Sequence, residues 1–401
     1  MNELFNKYPG VIRCSDEEIH EEFLKIYQHH EYIEEWLDKL TFKLDLKNDE
    51  EARQLRYQGN TLYTSNARKA SILLLSAVKT HVEEQSLDEE LPSLTGGFNS
   101  KLPGASSTIK LNYDKARGRH VIANEDIRVG DVLFVEKPFI FAPVFVNETM
   151  EMLTTKCYNC LKTVFSSIPC KYCTKIIYCD EHCRGECWEK FHKWECFGMQ
   201  CNLWYHIGIG FPAFRAVVKG MVSEDNMYSY FNQLVSNLSK MENVLPLIIS
   251  AGVIVCYLKK HTTFFNWISK HKMYSEYTQM NLVRLIGGTI TKHIAQLQCN
   301  SSLIEHVSKQ ELDEGGSIAC AIYPSVSMMN HSCSSNVQIC YMREVAVTRA
   351  SENIAKGDEI CNCYGIDYRF SDRQSRQEHC RQYYYFECCC RICKFSELEI
   401  V

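Results

Sequence analysis

The sequence has no apolar run that would cross a bilayer comfortably and no strong excess of charge of one sign. The longest apolar run, Val244 to Leu258, is interrupted by Pro246, Ser250 and Gly252. The chain has 44 Lys and Arg against 49 Asp and Glu, which gives a net charge of -5. These absences argue against a membrane protein and against general binding of nucleic acid through basic charge.

A secretion signal is also missing, because the first 23 residues are polar and acidic instead of basic and then apolar. The 401-residue chain nevertheless contains 22 cysteines. Many cysteines without a secretion signal indicate metal ligands in a reducing compartment, cytoplasmic and/or nuclear, and argue against disulfides. The length allows two or three domains with their own cores.

The residue pattern that predicts secondary structure changes several times along the chain. Helical periodicity extends to about residue 85, with a capping box at Ser15-x-x-Glu18. The segment around residue 60 resembles one tetratricopeptide helix pair, and an ordinary helical cap is the alternative. A linker rich in Pro and Gly follows, from residue 85 to residue 107.

Strand patterns then occur in two separate parts of the chain. His120 to Ala123 and Val132 to Lys137 form the first part, and three segments between Val337 and Tyr364 form the second. Between them lie a cysteine block at residues 157–196 and mostly helical sequence from about 200 to 310. We therefore predict an α+β protein whose strand region is split by a metal-binding insert and a helical insert.

The cysteine block has the spacing of metal ligands. It offers eight of them, sufficient for two tetrahedral zinc ions: Cys157, Cys160, Cys170, Cys173, Cys179, Cys183, His192 and Cys196. About forty residues cannot form an adequate core alone, so bound metal must stabilise the block. Spacing alone allows sequential or interleaved pairing, and Cys187 and His182 are surplus.

The charge of the block argues against DNA binding. It contains six Lys and Arg against five Asp and Glu, which is too little positive charge for contacts with phosphates. A protein-interaction module fits this balance better than a zinc-finger transcription factor does.

A second, incomplete metal site ends the sequence. Cys388, Cys390 and Cys393 have the C-x-C-x2-C spacing of zinc ligands, but a structural zinc ion needs four. The tail after Cys393 contains no Cys or His. The fourth ligand must therefore come from elsewhere in the fold.

Two motifs in the second strand region resemble a known family. Tyr323 to Asn336 resembles the N-H-S-C-x-x-N signature of SET-domain lysine methyltransferases, and Gly357 to Gly365 resembles their downstream motif with the active-site tyrosine. With a cysteine block like a MYND finger between the strand regions, residues 110–395 are similar to the SMYD family. The likeness is greatest to members with tetratricopeptide-like helices before the SET domain.

The resemblance implies three zinc ions per chain. Interleaved pairing in the block assigns one ion to Cys157, Cys160, Cys179 and Cys183, and another to Cys170, Cys173, His192 and Cys196. The third, post-SET ion is assigned to Cys333, Cys388, Cys390 and Cys393, which supplies the missing ligand. Cys389, between these ligands, is not expected to bind metal.

The resemblance also implies an α+β SET fold in which the chain threads a loop as a pseudoknot. The expected divisions are an N-terminal helical region with linker (1–108), the SET N-terminal part (109–156), the MYND finger (157–196), the helical insert (197–315), the SET C-terminal part (316–366) and the post-SET region (367–401). Because the sequence ends at Val401, we expect no C-terminal helical domain of the kind many relatives have. The N-terminal helices would then form part of the wall of the substrate cleft.

The activity implied is transfer of a methyl group from S-adenosylmethionine (SAM) to a lysine of a protein substrate. Tyr364 matches the catalytic tyrosine. The residues expected to bind the cofactor are Arg119, His120, Asn300, Asn330, His331, Tyr364 and Phe386. The finger would bind a short, proline-rich peptide, and neither a sequence-specific nucleic acid nor a membrane is an expected partner.

One departure from the family supports an alternative. The early SAM loop of the family usually reads G-x-G-L-x-A, and here "GRHVIA" has His120 at the second glycine. The His120 side chain would crowd the cofactor, or it would contact the cofactor carboxylate together with Arg119. The first case favours a catalytically weak or inactive SET/MYND adaptor, such as a transcriptional corepressor scaffold.

Overall fold

The computed structural model describes residues 1–8, 10–45, 90–145, 156–164, 167–173, 175–222, 226–305 and 317–394. The tetratricopeptide-like pair expected around residue 60 lies outside these residues. The described residues form a mixed α+β structure with three small sheets and one two-stranded hairpin. This agrees with the α+β class expected from the sequence.

The strands are short, and their order in the sheets differs from their order in the chain. They are β1 (Ile109–Asp114), β2 (Gly118–Ala123), β3 (Val132–Glu136), β4 (Ile140–Pro143), β5 (Ile168–Pro169), β6 (Ile177–Tyr178), β7 (Ser301–Glu305), β8 (Ser317–Ile322), β9 (Asn330–His331), β10 (Val337–Met342), β11 (Val345–Ala350) and β12 (Glu359–Asn362). The sheet orders are β1-β2-β12-β9, β10-β11-β3 and β4-β8-β7, and β5 pairs with β6.

Strands from both ends of the strand region pair with one another. β3 and β11 are antiparallel with Glu136 opposite Ala346, and β4 and β8 are antiparallel with Ile140 opposite Ile322. The chain between β4 and β7 contains the cysteine block and the helical region. The strand region is therefore one assembly interrupted by two inserts, as the sequence predicts.

Most of the helices lie in the N-terminal region and in the second insert. They are α1 (Asn2–Phe5), α2 (Ile19–Tyr27), α3 (Glu31–Asp45), α4 (Glu181–Cys187), α5 (Lys193–Gln200), α6 (Leu203–Ile207), α7 (Gly210–Val222), α8 (Asn226–Asn232), α9 (Leu245–His261), α10 (Phe264–Ile268), α11 (Gln279–Asn300), α12 (Arg373–His379) and α13 (Arg391–Lys394). Short π-helical turns follow α4 and α12.

The longest apolar run of the sequence forms α9, the central helix of the core. All its residues from Ala251 to Leu258 are buried, and it packs against α2, α3, α7 and α11. A helix that is apolar on all sides is suited to such a position. Among the residues that the structure describes, no helix is both long and apolar enough to span a membrane.

The N-terminal region docks on the second insert through α2 and α11, which cross at two glycines. A Cβ atom added at Gly287 would lie 1.9 Å from the Phe23 ring, and one added at Gly288 would lie 2.4 Å from the His20 ring. Any side chain at these two positions would therefore push the helices apart.

The predicted capping box takes a different form in the structure. The N–H of Ser15 donates to Oε2 of Glu18 over 2.9 Å, but the Ser15 hydroxyl donates to the same carboxylate and does not cap a backbone N–H. The helix consequently begins at Ile19, after a turn. Ile19 and Phe23 are fully buried, as their spacing predicts.

Candidate active site and metal centres

The two motifs of the second strand region meet where β9 lies parallel to β12. Asn330 is paired with Cys361, and His331 is paired with Asn362. The N–H of Ser332 extends the pairing by donating to the carbonyl of Asn362 over 2.9 Å. The N-H-S-C segment is thus held beside the strand that leads to Tyr364.

Asn336 joins the same two motifs a second time. Its Nδ2 donates to the carbonyl of Glu359 over 2.9 Å, and its Oδ1 accepts from the N–H of Cys361 over 2.8 Å. One amide side chain therefore pairs with a backbone carbonyl and a backbone N–H of β12, as a neighbouring strand would. The motif asparagine thus fixes the register of β12.

Tyr364 makes hydrogen bonds through all its polar atoms. Its N–H donates to Nδ1 of His331 over 3.0 Å, and its hydroxyl donates to the carbonyl of Met329 over 2.7 Å. Its carbonyl accepts from Nε2 of His379 over 2.9 Å and from the hydroxyl of Tyr384 over 3.1 Å. These contacts fix the ring and its hydroxyl in one orientation.

Burial controls the ionisation of both rings. It lowers the pKa of His331 to about 4, so the imidazole is neutral and Nδ1 can accept from the Tyr364 N–H. It raises the pKa of Tyr364 above its ordinary value near 10. The phenol therefore stays protonated and available as a donor.

Aromatic rings surround this tyrosine. The Tyr364 ring centroid lies 5.2 Å from that of His331, 4.8 Å from that of Tyr384 and 6.5 Å from that of Phe386. His331 and Phe386 are 5.8 Å apart. The structure thus brings three of the expected site residues, His331, Tyr364 and Phe386, into one cluster.

A cleft of about 800 Å³ opens beside the cluster. Asn300, Ser327, Tyr364 and Tyr384 are among its lining residues. Nδ2 of Asn300 donates to the carbonyl of Val235 over 2.8 Å, and the carbonyl of Asn300 accepts from the Ser327 hydroxyl over 3.2 Å. Asn300 and Tyr364 therefore share one cleft, although they belong to different parts of the chain.

The remaining expected cofactor residues lie on β2 and β9, in the same sheet as β12. Nδ2 of Asn330 donates to Oε1 of Glu359 over 3.0 Å and to the carbonyl of Arg117 over 3.2 Å. The guanidinium of Arg119 donates to the carbonyl of Gln233. Both side chains are therefore oriented by contacts outside their own strands.

His120 is buried within the β1–β2 hairpin. Its Nδ1 lies 2.9 Å from the carbonyl oxygen of Gly118, and its Nε2 lies 3.3 Å from Nδ2 of Asn112, its cross-strand partner. The side chain is fully enclosed. Its ring contacts therefore lie inside the hairpin, and the ring is not part of the aromatic cluster around Tyr364.

Three groups of four Cys or His side chains bring their ligand atoms within 4.8 Å of one another. We name them the first block cluster (Cys157, Cys160, Cys179, Cys183), the second block cluster (Cys170, Cys173, His192, Cys196) and the C-terminal cluster (Cys333, Cys388, Cys390, Cys393). The grouping in the block is interleaved, and the sequential alternative is not observed. His182, Cys187 and Cys389 belong to none of the three.

The spacing of the ligand atoms fits a tetrahedral metal ion. Zinc–sulfur bonds of about 2.3 Å give a tetrahedron with edges of about 3.8 Å. The Sγ atoms of Cys160 and Cys179 are 3.8 Å apart, those of Cys170 and Cys196 are 3.9 Å apart, and Sγ of Cys333 lies 3.7 Å from Sγ of Cys388. These distances fit one zinc ion in each cluster.

Local structure positions the ligands. Asp180 is the N-cap of α4 and accepts from the N–H of Cys183 over 2.7 Å, which fixes the start of the helix that carries this ligand. In the C-terminal cluster, the amide of Gln377 exchanges hydrogen bonds of 2.6 and 3.0 Å with the backbone of Cys388. The cluster is thereby tied to α12.

A buried ion pair next to the second block cluster is not apparent from the sequence. Glu195 accepts from Arg215 over 2.7 and 2.9 Å and from the Tyr158 hydroxyl over 2.9 Å. Oε2 of Glu195 lies 3.8 Å from Nδ1 of His192. A carboxylate in this position orients a histidine metal ligand.

Arg215 extends this network into the rest of the fold. It belongs to α7, and its Nη1 donates to the carbonyl of Phe141 in β4 over 2.6 Å. Burial opposes ionisation of Glu195, but Arg215 and His192 together outweigh it and lower the pKa of Glu195 to about 2. The pair therefore anchors the cysteine block to both the helical insert and the strands.

The chain belongs to the SET domain family, because residues 118–365, more than half of its length, match that family. It is similar to protein-lysine N-methyltransferase SMYD4 of Gallus gallus, with 23% identity over 394 residues that cover 76% of this chain and 53% of the relative. It is also similar to N-lysine methyltransferase SMYD2 of Mus musculus, with 29% identity over 289 residues that cover 71% and 59%. The expected kinship with the SMYD family is thus confirmed.

The match to SMYD4 of Homo sapiens is 24% identical and covers 80% of this chain and 49% of the relative. The chain therefore spans about half the length of the SMYD4 relatives it matches. A more distant likeness is to the crystal structure of the SET domain of LSMT bound to lysine and AdoHcy. It has a TM-score of 0.33 and 10% identity, and it covers 69% of this chain and 56% of that chain.

Proposed function

We propose that this chain is a SAM-dependent protein-lysine N-methyltransferase. The observation that carries the proposal is the geometry around Tyr364, whose ring lies between His331 and Tyr384. Its hydroxyl is held by the carbonyl of Met329 at the wall of the 800 Å³ cleft. The relatives named lysine methyltransferases support the same activity.

The cofactor would be held by residues of β2, β9 and α11 together with the aromatic cluster. These are Arg119, Asn300, Asn330, His331, Tyr364, Phe386 and, through its backbone because its ring is fully enclosed, His120. Of these residues, Asn300 and Tyr364 line the cleft, whose volume lies within the range of about 300–1,000 Å³ typical of small-molecule sites. When bound, SAM supplies an electrophilic methyl group carried on a sulfonium.

The chain must also deliver a neutral lysine amine. Deprotonating lysine at pH 7 costs roughly 4 to 5 kcal/mol, because its unperturbed pKa is about 10.4. Enclosure by Tyr364, Tyr384 and Phe386 would lower that pKa by removing water from the ammonium. Since the Tyr364 hydroxyl donates to Met329, its oxygen lone pairs remain free to accept from the amine and orient it.

The three clusters would each bind a structural zinc ion, with the cysteine block as a MYND finger and the C-terminal cluster as a post-SET site. The tetrahedral spacing of the ligand atoms supports zinc. In the C-terminal cluster the ion would tie the chain end to the cofactor motif, because Cys333 follows His331 by two residues. Metal binding there would stabilise the site without taking part in the chemistry.

The finger would bind a short, proline-rich peptide. A groove of about 370 Å³ on the block is lined by Tyr172, Tyr178 and Trp188. The Tyr172 and Trp188 ring centroids are 4.7 Å apart, and Tyr172 is 58% exposed. Grooves lined by aromatic rings bind proline-rich segments, because polyproline conformation is already formed before binding.

The alternative is an adaptor that uses the finger and binds SAM weakly. Two measurements separate it from the enzyme: calorimetric titration of SAM into the zinc-loaded chain, and transfer of a labelled methyl group to proteins of a lysate. We expect SAM binding in the micromolar range and labelled protein lysines. Absence of methyl transfer despite intact folding and zinc content would favour the adaptor. Either function is compatible with a cytoplasmic or nuclear protein.

A further inference from the structure

The loop of residues 233–244, between α8 and α9, carries acceptors for two of the proposed cofactor residues. The guanidinium of Arg119 donates to the carbonyl of Gln233. Nδ2 of Asn300 donates to the carbonyl of Val235 over 2.8 Å. Nδ2 of Asn300 donates also to the carbonyl of Gln296 in its own helix over 2.6 Å. The backbone of the 233–244 loop therefore helps to orient both side chains.

The loop has little regular structure to hold it in shape, although its beginning is fixed from α11 by Nε2 of Gln296, which donates to the carbonyl of Leu234 over 2.9 Å. Within it, regular hydrogen bonding is confined to one turn of 3-10 helix at Leu238–Lys240, and Asn237 before that turn has a φ of 56°. Such a backbone conformation is uncommon for a residue other than glycine. It persists where the surrounding structure supplies enough contacts.

The N-terminal region supplies a half-buried contact of this kind. The carboxylate of Asp16 accepts a hydrogen bond from the hydroxyl of Ser236, and its second oxygen lies 3.6 Å from Nζ of Lys292 on α11. Ser236 is only 5% exposed, whereas the Asp16 side chain is 36% exposed. The hydrogen bond is charge-assisted and therefore stronger than one between neutral groups.

The far end of the loop is fixed by the preceding N-terminal residues. The N–H of Val244 donates to the carbonyl of Ile12 over 2.9 Å, and the N–H of Ile12 donates to Oδ1 of Asn243 over 3.0 Å. Nε of Arg13 donates to the carbonyl of Glu242 over 3.2 Å. Residues 12–16 therefore hold the loop at both its middle and its end.

We propose that Asp16 is a positioning residue of the cofactor site. Through Ser236 it holds the 233–244 loop in the conformation that orients Arg119 and Asn300. The inference rests on the proposed function, because these two side chains matter for SAM only if the chain binds it. The N-terminal region then serves the site without supplying an atom that touches the cofactor.

The test compares Asp16→Ala with Asp38→Ala in the zinc-loaded 401-residue chain. Asp38 is the matched control, since it forms an exposed ion pair with Lys260 away from the loop. We expect Asp16→Ala to weaken SAM binding, measured by calorimetry, about tenfold, which is typical of losing one hydrogen bond to a charged group. Asp38→Ala should leave SAM affinity unchanged.

Two further variants separate positioning from general destabilisation. Ser236→Thr keeps the hydroxyl and should retain SAM affinity, whereas Ser236→Ala should match Asp16→Ala. The double variant Asp16→Ala/Ser236→Ala should be no weaker than either single variant, since one contact is lost. Unchanged SAM affinity in Asp16→Ala, or additive losses in the double variant, would overturn the proposal.

Hydrogen exchange gives a readout that does not need the cofactor. Amides of the 233–244 loop should exchange faster in Asp16→Ala than in Asp38→Ala, with exchange elsewhere unaltered. A wild-type chain that binds no SAM would count against the proposed function, while the exchange data would still decide whether Asp16 holds the loop. Equal exchange in the two variants would exclude the positioning role.

Discussion

Nε2 of His331 lies 3.4 Å from Sγ of Cys333, and Nδ1 of the same ring accepts from the N–H of Tyr364. A single neutral imidazole thus bridges the C-terminal cluster and the proposed catalytic residue. The pKa of His331, lowered by burial to about 4, agrees with this role, because a protonated ring could not accept at Nδ1. Metal content and cofactor binding should therefore depend on each other.

Cys333→Ser should reduce the zinc content from three ions to two and weaken SAM binding together, because the C-terminal cluster then loses one of four ligands. Elemental analysis and calorimetry check both effects. Cys389→Ser is the control, since Cys389 is exposed and outside the clusters, and it should keep three ions. A wild-type content of two ions in folded, fully loaded protein would refute the third site.

Tyr364→Phe should keep SAM affinity, since the ring and its packing remain, and should slow methyl transfer about 100-fold. The expected loss is that of one oriented hydrogen-bonding group at the reacting centre. Tyr113→Phe, a change at a ring that is 70% exposed, should leave the rate unaltered. An equal fall in SAM affinity would mean that the Tyr364 hydroxyl, and not only its ring, holds the cofactor and does not align the amine.

His120→Gly should lower the free energy of unfolding by about 2 kcal/mol, through a cavity in the hairpin and the greater freedom of a strand glycine. Because the ring contacts Gly118 and Asn112 inside the hairpin, we expect no gain in SAM affinity. Urea unfolding and calorimetry on the same preparation measure the two effects. Clearly tighter SAM binding would support crowding of the cofactor and the adaptor alternative.

Glu136 should give the chain a pH-dependent stability. Burial raises its pKa from 4.5 to about 8, while its carboxylate accepts from the N–H groups of Ser325 and Val326 over 2.9 Å each. A carboxyl group with a raised pKa binds more protons in the folded chain. Its contribution to stability is therefore fully present below pH 4.5 and is lost as the pH rises through about 8.

Urea unfolding of wild type and Glu136→Gln across that range measures this contribution. The wild type should lose stability relative to the variant by at most about 1.4 kcal/mol per pH unit. Parallel pH profiles would show that Glu136 is already ionised at the lower pH.

The two block clusters should respond differently to loss of a ligand. Cys179→Ser affects the first block cluster and should remove peptide binding while SAM affinity stays within a few-fold. Cys196→Ser affects the second block cluster. It should, in addition, lower the midpoint of thermal unfolding of the whole chain, because this cluster adjoins the Glu195–Arg215 pair. Similar losses of SAM affinity in the two variants would indicate that the proposed catalytic part needs the folded cysteine block for its own stability.

The sequence predicted strand segments where β2, β3, β10, β11 and β12 lie, and the family resemblance predicted the grouping of the Cys and His clusters, but the sequence did not predict which strands pair. β10 and β11 are neighbours in the chain and pair with each other, whereas β3 pairs with the distant β11. The interleaved grouping came from family resemblance, since spacing also allowed the sequential order. Cys333 could be assigned to the C-terminal cluster only because the same resemblance linked distant parts of the chain.

What the sequence could not predict depends on contacts between distant residues. Glu195 and Arg215 look like ordinary surface charges until α7 packs against the block. The sequence does not indicate that the Phe23 ring occupies the space that a side chain at Gly287 would need. The start of α2 was wrong by a turn, because the Ser15 hydroxyl bonds to Glu18 instead of to the helix backbone.

The pairing of β3 with β11 has a consequence for synthesis on the ribosome. Glu136 and Ala346, which face each other in the sheet, are roughly 210 residues apart. At about 5–20 residues per second, β3 would emerge about 10 to 40 s before its partner exists. During that interval the nascent chain exposes unpaired strand edges and unfilled metal sites, so its production should depend strongly on chaperones and on zinc supply.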